Sequence, residues 1–261
     1  MQPNNNAVAL EHAELQTTPT VSRTRLFSLG ASCAQCAVRA FCLPGGCSHA
    51  ERDTFNSLIS QRMRIKKGAA LYHSNDPLTY LYAVRMGCFK ISLIDAHGRG
   101  MVADFMMAGE VMGLDAISTS RYACSALALE DSEVCPIPYH QIEQLARNCP
   151  ALQQTLNRLM SRQIVRDNER LLMMCNMNAD ERFAAFLLQL SQRYAMRGYS
   201  ALGFVLRMTR EDIASYLGLR LETICRCMAR LRDLQIVRFA GREVEILDMP
   251  ALMAMEHHWS T

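Results

Sequence analysis

The sequence predicts an α+β chain in which a β-roll is followed by one long helix and then by a helix-turn-helix domain. Three observations carry that expectation. Between about residues 64 and 138, turn signals recur at Lys67-Gly68, Asn75-Asp76-Pro77, Met86-Gly87, His97-Gly98 and Ala108-Gly109, with short apolar or alternating runs between them. After Cys149-Pro150 neither proline nor glycine occurs until Gly198, so nothing interrupts a helix over residues 151–176. Residues 209–226 have the spacing of two short helices joined at a glycine.

The composition allows two cores and restricts the function classes. Of 261 residues, 50% are hydrophobic, too many for a disordered chain. Charges break the apolar runs within roughly 10 residues, short of the ~20 needed to span a bilayer. The start Met1-Gln2-Pro3-Asn4-Asn5-Asn6 has no basic region followed by an apolar one, so the expected location is cytoplasmic, with no membrane partner. Eleven cysteines, an odd number, then read as thiols or metal ligands rather than a disulfide framework. The formal charge of +3 is concentrated: from Arg207 to Arg232 six arginines face three carboxylates, a surplus equal to that of the whole chain.

Taken in order, residues 1–26 are polar and aperiodic and read as a disordered arm. Residues 27–150 form the next unit, a cysteine loop plus the roll. Within it Ser48 and Glu51 make a capping box ahead of Phe55, Leu58 and Ile59, so a short helix abuts the loop. In the long helix Leu152, Leu156, Met160, Ile164, Leu171 and Met174 step by 3, 4 or 7, as in a coiled-coil seam, which predicts a homodimer. One seam position is Asp167. Two such carboxylates would repel across a two-fold axis and keep the dimer weak unless something else drives association, which makes Asp167, with Ile164, Met160 and Leu171, a candidate dimer switch. Arg158, Arg162, Arg166 and Arg170 form a second stripe that reads as a solvated flank. Residues 177–250 form the DNA-binding unit and 251–261 a tail.

In the helix-turn-helix, Thr209 caps the first helix and Gly218 permits the turn, while Ile213, Ala214, Leu217, Leu219 and Ile224 lock the pair together. The start of the second helix then offers Arg220, Glu222, Thr223, Cys225 and Arg226 to a major groove of double-stranded DNA. Arg226 can fork onto guanine and Glu222 can accept from cytosine N4. Arg193, Arg207 and Arg230 serve either as phosphate contacts or as solubilising charges.

Cys33-x2-Cys36-x5-Cys42 is the second chemical signal, since closely spaced thiolates can chelate a metal centre. A fourth ligand is needed, and spacing does not choose among Cys47, Cys135, Cys88, Cys124 and Cys149, nor between zinc and iron–sulfur. Cys175, Cys225 and Cys227 read simply as helix residues.

Over nearly all of residues 30–250 the sequence resembles the fumarate and nitrate reduction regulator (FNR) family of the cyclic-AMP receptor protein (CRP) superfamily. The resemblance is carried by Ser32-Cys33-x2-Cys36-x5-Cys42-x-Pro44, Gly109-Glu110 before Gly113-Leu114-Asp115-Ala116-Ile117, Glu133-Val134-Cys135 and Glu222-Thr223-Ile224-x-Arg226. It implies a cyclic-nucleotide-binding-like roll as sensor domain, a dimerisation helix and a winged helix-turn-helix. It also implies an oxygen-labile [4Fe-4S] cluster on Cys33, Cys36, Cys42 and Cys135, with Cys47 a bystander, and a regulator that activates or represses transcription under low oxygen. Asp167 falls where the family places its dimer-repelling aspartate. Palindromic TTGAT-like operators with half-sites roughly 10 bp apart, and RNA polymerase as a further partner, follow from the same likeness. One residue departs from the pattern: where the family has serine this chain has Cys225, whose thiol is a weaker donor able to pack against a thymine methyl, which leaves the preference at one base open.

Two rival expectations compete. A cyclic-nucleotide-responsive regulator of the same superfamily would grip the ligand with Gly109, Glu110 and Arg121, yet Tyr122 and Ala123 follow where small hydroxyl residues are preferred, and the cysteines are then unexplained. A metalloenzyme on a cupin-like roll needs clustered histidines, whereas the seven histidines include no His-x-His and no helical i, i+4 pair. The expectation is therefore a protein that is not an enzyme.

Overall fold

The computed structural model describes residues 25–27, 33–46, 48–59, 61–95 and 97–256. The expected disordered arm lies outside them except at its end. There Arg25–Phe27 forms a strand, β1, antiparallel to β2 (Arg62–Ile65), so the arm's boundary moves back by two residues. The unpaired edge of β2 supplies the backbone partners that local composition could not reveal.

Two sheets build the roll. One runs β1-β2-β9-β4-β7, with β4 at Tyr80–Met86, β7 at Val111–Met112 and β9 at Ser132–Pro138. The other runs β3-β8-β5-β6, from Ala70–Tyr72, Ser125–Ala128, Cys88–Ile94 and Gly100–Met107. All pairings are antiparallel. Phe89, Met112, Ala126 and Val134 fill the space between the sheets. Ahead of the roll, α1 (His49–Leu58) starts with the reciprocal Ser48–Glu51 capping box that the sequence predicts.

After α2 (Tyr139–Asn148) comes α3, which runs unbroken from Pro150 to Asn176 with proline in its first turn, where the missing N–H costs nothing. The expected seam divides. Leu152 and Leu156 are buried against the chain's own roll and α2, whereas Ile164, Asp167 and Leu171 are exposed and Met160 half-buried. Packing on α2 uses the first turns, and only the later ones are left for a second subunit.

The C-terminal unit follows: α4 (Ala179–Met196), β10 (Gly203–Val205), α5 (Arg210–Leu217), α6 (Leu221–Asp233), β11 (Val237–Ala240), β12 (Glu243–Ile246) and α7 (Met249–Glu256). The antiparallel β11–β12 hairpin beside the two helices gives the winged form. Most of the expected tail is helix. Leu252 is fully buried and α7 packs on α4, because Met249, Ala251, Leu252 and Met255 form an apolar face that finds a helix to cover. The roll and this unit also share one core: Phe105 of β6 meets the rings of Phe186 and Tyr216 at centroid distances of 6.2 and 5.3 Å. Among the described residues no helix is long and apolar enough to cross a membrane.

Candidate functional site

Four thiols line one small pocket. Cys33 opens a 3-10 turn and its amide donates to Asn56 Oδ1 of α1 at 2.9 Å. Two further 3-10 turns, Arg39–Phe41 and Leu43–Gly46, flank Cys42, and buried Leu43 and Pro44 anchor the loop. Cys135 approaches from β9, in register with Ala83 of β4. Cys33, Cys36, Cys42 and Cys135, with Val38, Ile59 and Val84, enclose about 30 Å³. Of the other candidate fourth ligands, Cys149 donates to Glu51 Oε1 at 3.2 Å, and Cys88 and Cys124 are buried elsewhere in the roll. Cys47 lies outside the described residues.

The electrostatics of the pocket follow from crowding acidic thiols in a space with little water. Burial, and then the neighbouring Cys135 thiol, push Cys42 up. Burial raises Cys135 to about 11, with Arg62 and Arg85 opposing and Cys33 and Cys36 adding to the rise. Cys33 is raised by burial and by Cys36, against Arg62 and Arg52. Left to themselves these sulfurs stay protonated, whereas a bound cationic centre makes thiolates of them. Arg62 and Arg85 lie close enough to favour that charged form, although both also pair with Glu133, at 3.4 and 2.9 Å. Among the described residues no three Cys, His, Asp or Glu side chains are gathered tightly enough to hold a single metal ion. Four cysteine sulfurs are a donor set that suits a zinc ion or an iron–sulfur cluster.

The second region is the recognition helix. Thr209 caps α5 through its side chain, and Gly218 closes it in a left-handed conformation at φ 63°, the cap and turn that the sequence predicts. Buried Ile213, Ala214, Leu217 and Ile224, with partly buried Leu219, lock α5 to α6. Arg220, Glu222 and Arg226 are exposed at the start of α6, with Thr223 and Cys225 half-buried beside them. Arg226 donates to Thr223 Oγ1 at 3.3 Å, and Arg210 lies 3.8 Å from the Cys225 sulfur.

Several arginines do something other than the sequence suggests. Arg193 is no phosphate contact: its side chain is only 16% exposed and meets Glu110 at 2.6 Å. Arg207 and Arg230 are different: they pair with Glu130 of the roll at 3.0 Å and with Asp180 at 2.5 Å yet stay exposed, as either expected role requires. Two members of the expected solvated stripe face inward. Arg166 meets Glu110 at 3.3 Å, while Arg170 donates to the carbonyls of Ala103, Val102 and Tyr216 at 2.7, 2.9 and 3.2 Å. Burying these guanidiniums requires carboxylates and carbonyls from distant segments, which a helix-face pattern cannot announce.

The same contacts weaken the cyclic-nucleotide rival. Glu110 is occupied by Arg193, Arg166 and Arg197, and Arg121 donates outward to the Asn75 carbonyl at 2.6 Å. The cavity of about 350 Å³ between roll and α3 is mostly apolar and includes neither residue.

Residues 62–149 match the family model of the cyclic nucleotide-binding domain, and residues 181–255 that of the Crp-like helix-turn-helix domain. The chain is 43% identical over 222 residues to the transcriptional regulatory protein btr of Bordetella pertussis (strain Tohama I), covering 85% of this chain and 92% of that protein. It is 37% identical to the fumarate and nitrate reduction regulatory protein of Vibrio cholerae, over 91% of this chain and 95% of that one. Among solved structures it is similar to FixK2 from Bradyrhizobium japonicum, with a TM-score of 0.69 and 26% identity over 75% of this chain and 96% of that one.

Proposed function

Because the chain belongs to the FNR family of the CRP superfamily, a family of transcription regulators, we propose that it is the oxygen-responsive kind: a cytoplasmic regulator that binds palindromic, TTGAT-like operators as a homodimer when oxygen is low. The observation that carries this reading is the convergence of Cys33, Cys36, Cys42 and Cys135 on one pocket. These four residues would hold a [4Fe-4S] cluster, whose chemistry supplies sensitivity to oxygen.

The remaining steps belong to the chain. The cysteine loop packs on α1 and beside the start of α3, so its arrangement bears on the helix whose later turns expose Ile164, Asp167 and Leu171. When the loop is set for association, apolar contact along Ile164 and Leu171 offsets the repulsion between two Asp167 carboxylates. When it is not, the repulsion wins and the subunits part. A dimer presents two α6 helices together, with Glu222, Thr223, Cys225, Arg226 and Arg220 facing each half-site, and a single subunit binds one half-site poorly. Contact with RNA polymerase completes the regulator's work on a promoter.

The deciding experiment is the visible spectrum of protein purified without oxygen, with iron and acid-labile sulfide assayed, before and after exposure to air. A broad brown absorbance that bleaches in air, with about four iron and four sulfide per chain, is expected. A colourless protein after attempted reconstitution would overturn the sensing claim and leave the transcription regulator standing.

A further inference from the structure

The loop that carries Cys33, Cys36 and Cys42 reaches beyond the roll. Phe41, adjacent to Cys42, lies on the turn between β6 and β7. Gly109 in that turn has φ +92°, and a Cβ there would fall 2.7 Å from the Cβ of Phe41, so a side chain at this position would displace the phenylalanine. On its other side the Phe41 ring carries the guanidinium of Arg197, 5.4 Å from the ring centroid. Arg197 caps the C-terminal end of α4, the first helix of the DNA-binding unit, and its side chain is only 4% exposed. Its Nε donates to the Ala108 carbonyl at 2.7 Å, and its Nη2 meets Glu110 Oε1 at 3.0 Å. Arg193, one turn earlier, takes the other oxygen of Glu110. The three residues 108–110 are therefore gripped by the cysteine loop through Phe41 and by the DNA-binding unit through Arg193 and Arg197.

We propose that Phe41 latches the cysteine loop to the DNA-binding unit of the same chain, so that the arrangement of the loop sets how firmly α4 is held on the roll, an effect within one subunit and separate from subunit association. The proposed function enters only in saying what moves the loop. The latch itself is built from Phe41, Gly109, Glu110 and Arg197. Its physical basis is desolvation: burial disfavours the charged form of Arg197, and Glu110 is the main group opposing that. The face of Phe41 adds an electrostatic partner and covers the guanidinium. Removing the ring lets water reach Arg197 and loosens its hold on residues 108–110.

The test is amide hydrogen exchange on the full-length protein, comparing wild type and Phe41→Ala at matched oligomeric state. Peptides covering residues 107–111 and 193–199 should exchange roughly threefold to tenfold faster in the variant, while those in β4 and β9 do not change. Unchanged exchange in both peptides overturns the proposal. If Phe41→Ala loosens the roll strands as well, Phe41→Leu decides, because it keeps an apolar plug over Gly109 and removes only the π face. Selective loosening at 193–199 then supports the latch, and its absence refutes it. A chain that takes up no iron yet shows the Phe41 effect keeps the latch and loses the proposed cluster. Normal iron uptake with no exchange effect has the opposite meaning.

Discussion

Replacing Glu110 with glutamine removes one charge and almost no volume, and so isolates what the carboxylate contributes. It faces Arg193, Arg197 and Arg166 at 2.6, 3.0 and 3.3 Å, with 15% of its side-chain surface exposed, and accepts the Met107 amide at 2.8 Å. In Glu110→Gln three guanidiniums are left with Asp104 nearby, 3.9 Å from Arg166. Removing one partner of a buried pair costs about 3–5 kcal/mol, but Arg166 is 36% exposed and its share is screened, so about 2–4 kcal/mol is expected here. Urea unfolding followed by far-UV circular dichroism measures it, at neutral pH and again in acid. Burial alone would raise the Glu110 pKa, but Arg193, Arg166 and Arg197 and the Met107 amide outweigh it and hold the carboxyl below its usual range. A group lowered in the native state contributes stability that is complete above its unfolded-chain value and is lost as pH falls through the native one. The advantage of wild type over Glu110→Gln should therefore shrink below about pH 4. A difference under about 1 kcal/mol at pH 7, or one that persists unchanged in acid, would refute the claim that this charge clamps α4 to the roll.

Three further outcomes follow from the same geometry. Asp167→Ala should raise the dimer fraction in air, by roughly tenfold or more in the association constant if two screened carboxylates otherwise face each other, and an unchanged elution profile on size exclusion would defeat the seam argument. Cys135→Ala should abolish iron and sulfide retention while Cys124→Ala, buried elsewhere in the roll, retains both; the reverse pattern would move the fourth ligand. Arg226→Ala should cost about 1–3 kcal/mol on a specific operator and little on random DNA, read by titration of labelled duplexes at fixed salt.

Much of the architecture is legible in the sequence because local chemistry decides it. Ser48 and Glu51 cap α1, Pro150 starts α3, and Thr209 and Gly218 bound α5 through bonds made within one helical turn, and such bonds leave a readable pattern. The spacing of Cys33, Cys36 and Cys42 likewise announces a chelating loop by itself. The fourth sulfur does not, since Cys135 reaches the loop only because β9 pairs with β4, a register set over some fifty residues of intervening chain. The arginine contacts were equally hidden. Arg166 and Arg170 belong to a stripe whose pattern predicts a solvated face, and the tertiary fold turns them inward, with Arg193 and Arg197 of α4, onto Glu110 and nearby carbonyls. By itself, then, the sequence determined the order of roll, long helix and helix-turn-helix, the starts of α1 and α3, and the cap and turn that bound α5, because each depends on interactions between near neighbours. Only the tertiary structure decided which sulfur joins the loop, which half of the α3 seam remains open and which arginines tie roll to DNA-binding unit, because those depend on where distant segments meet and which charges must be buried together.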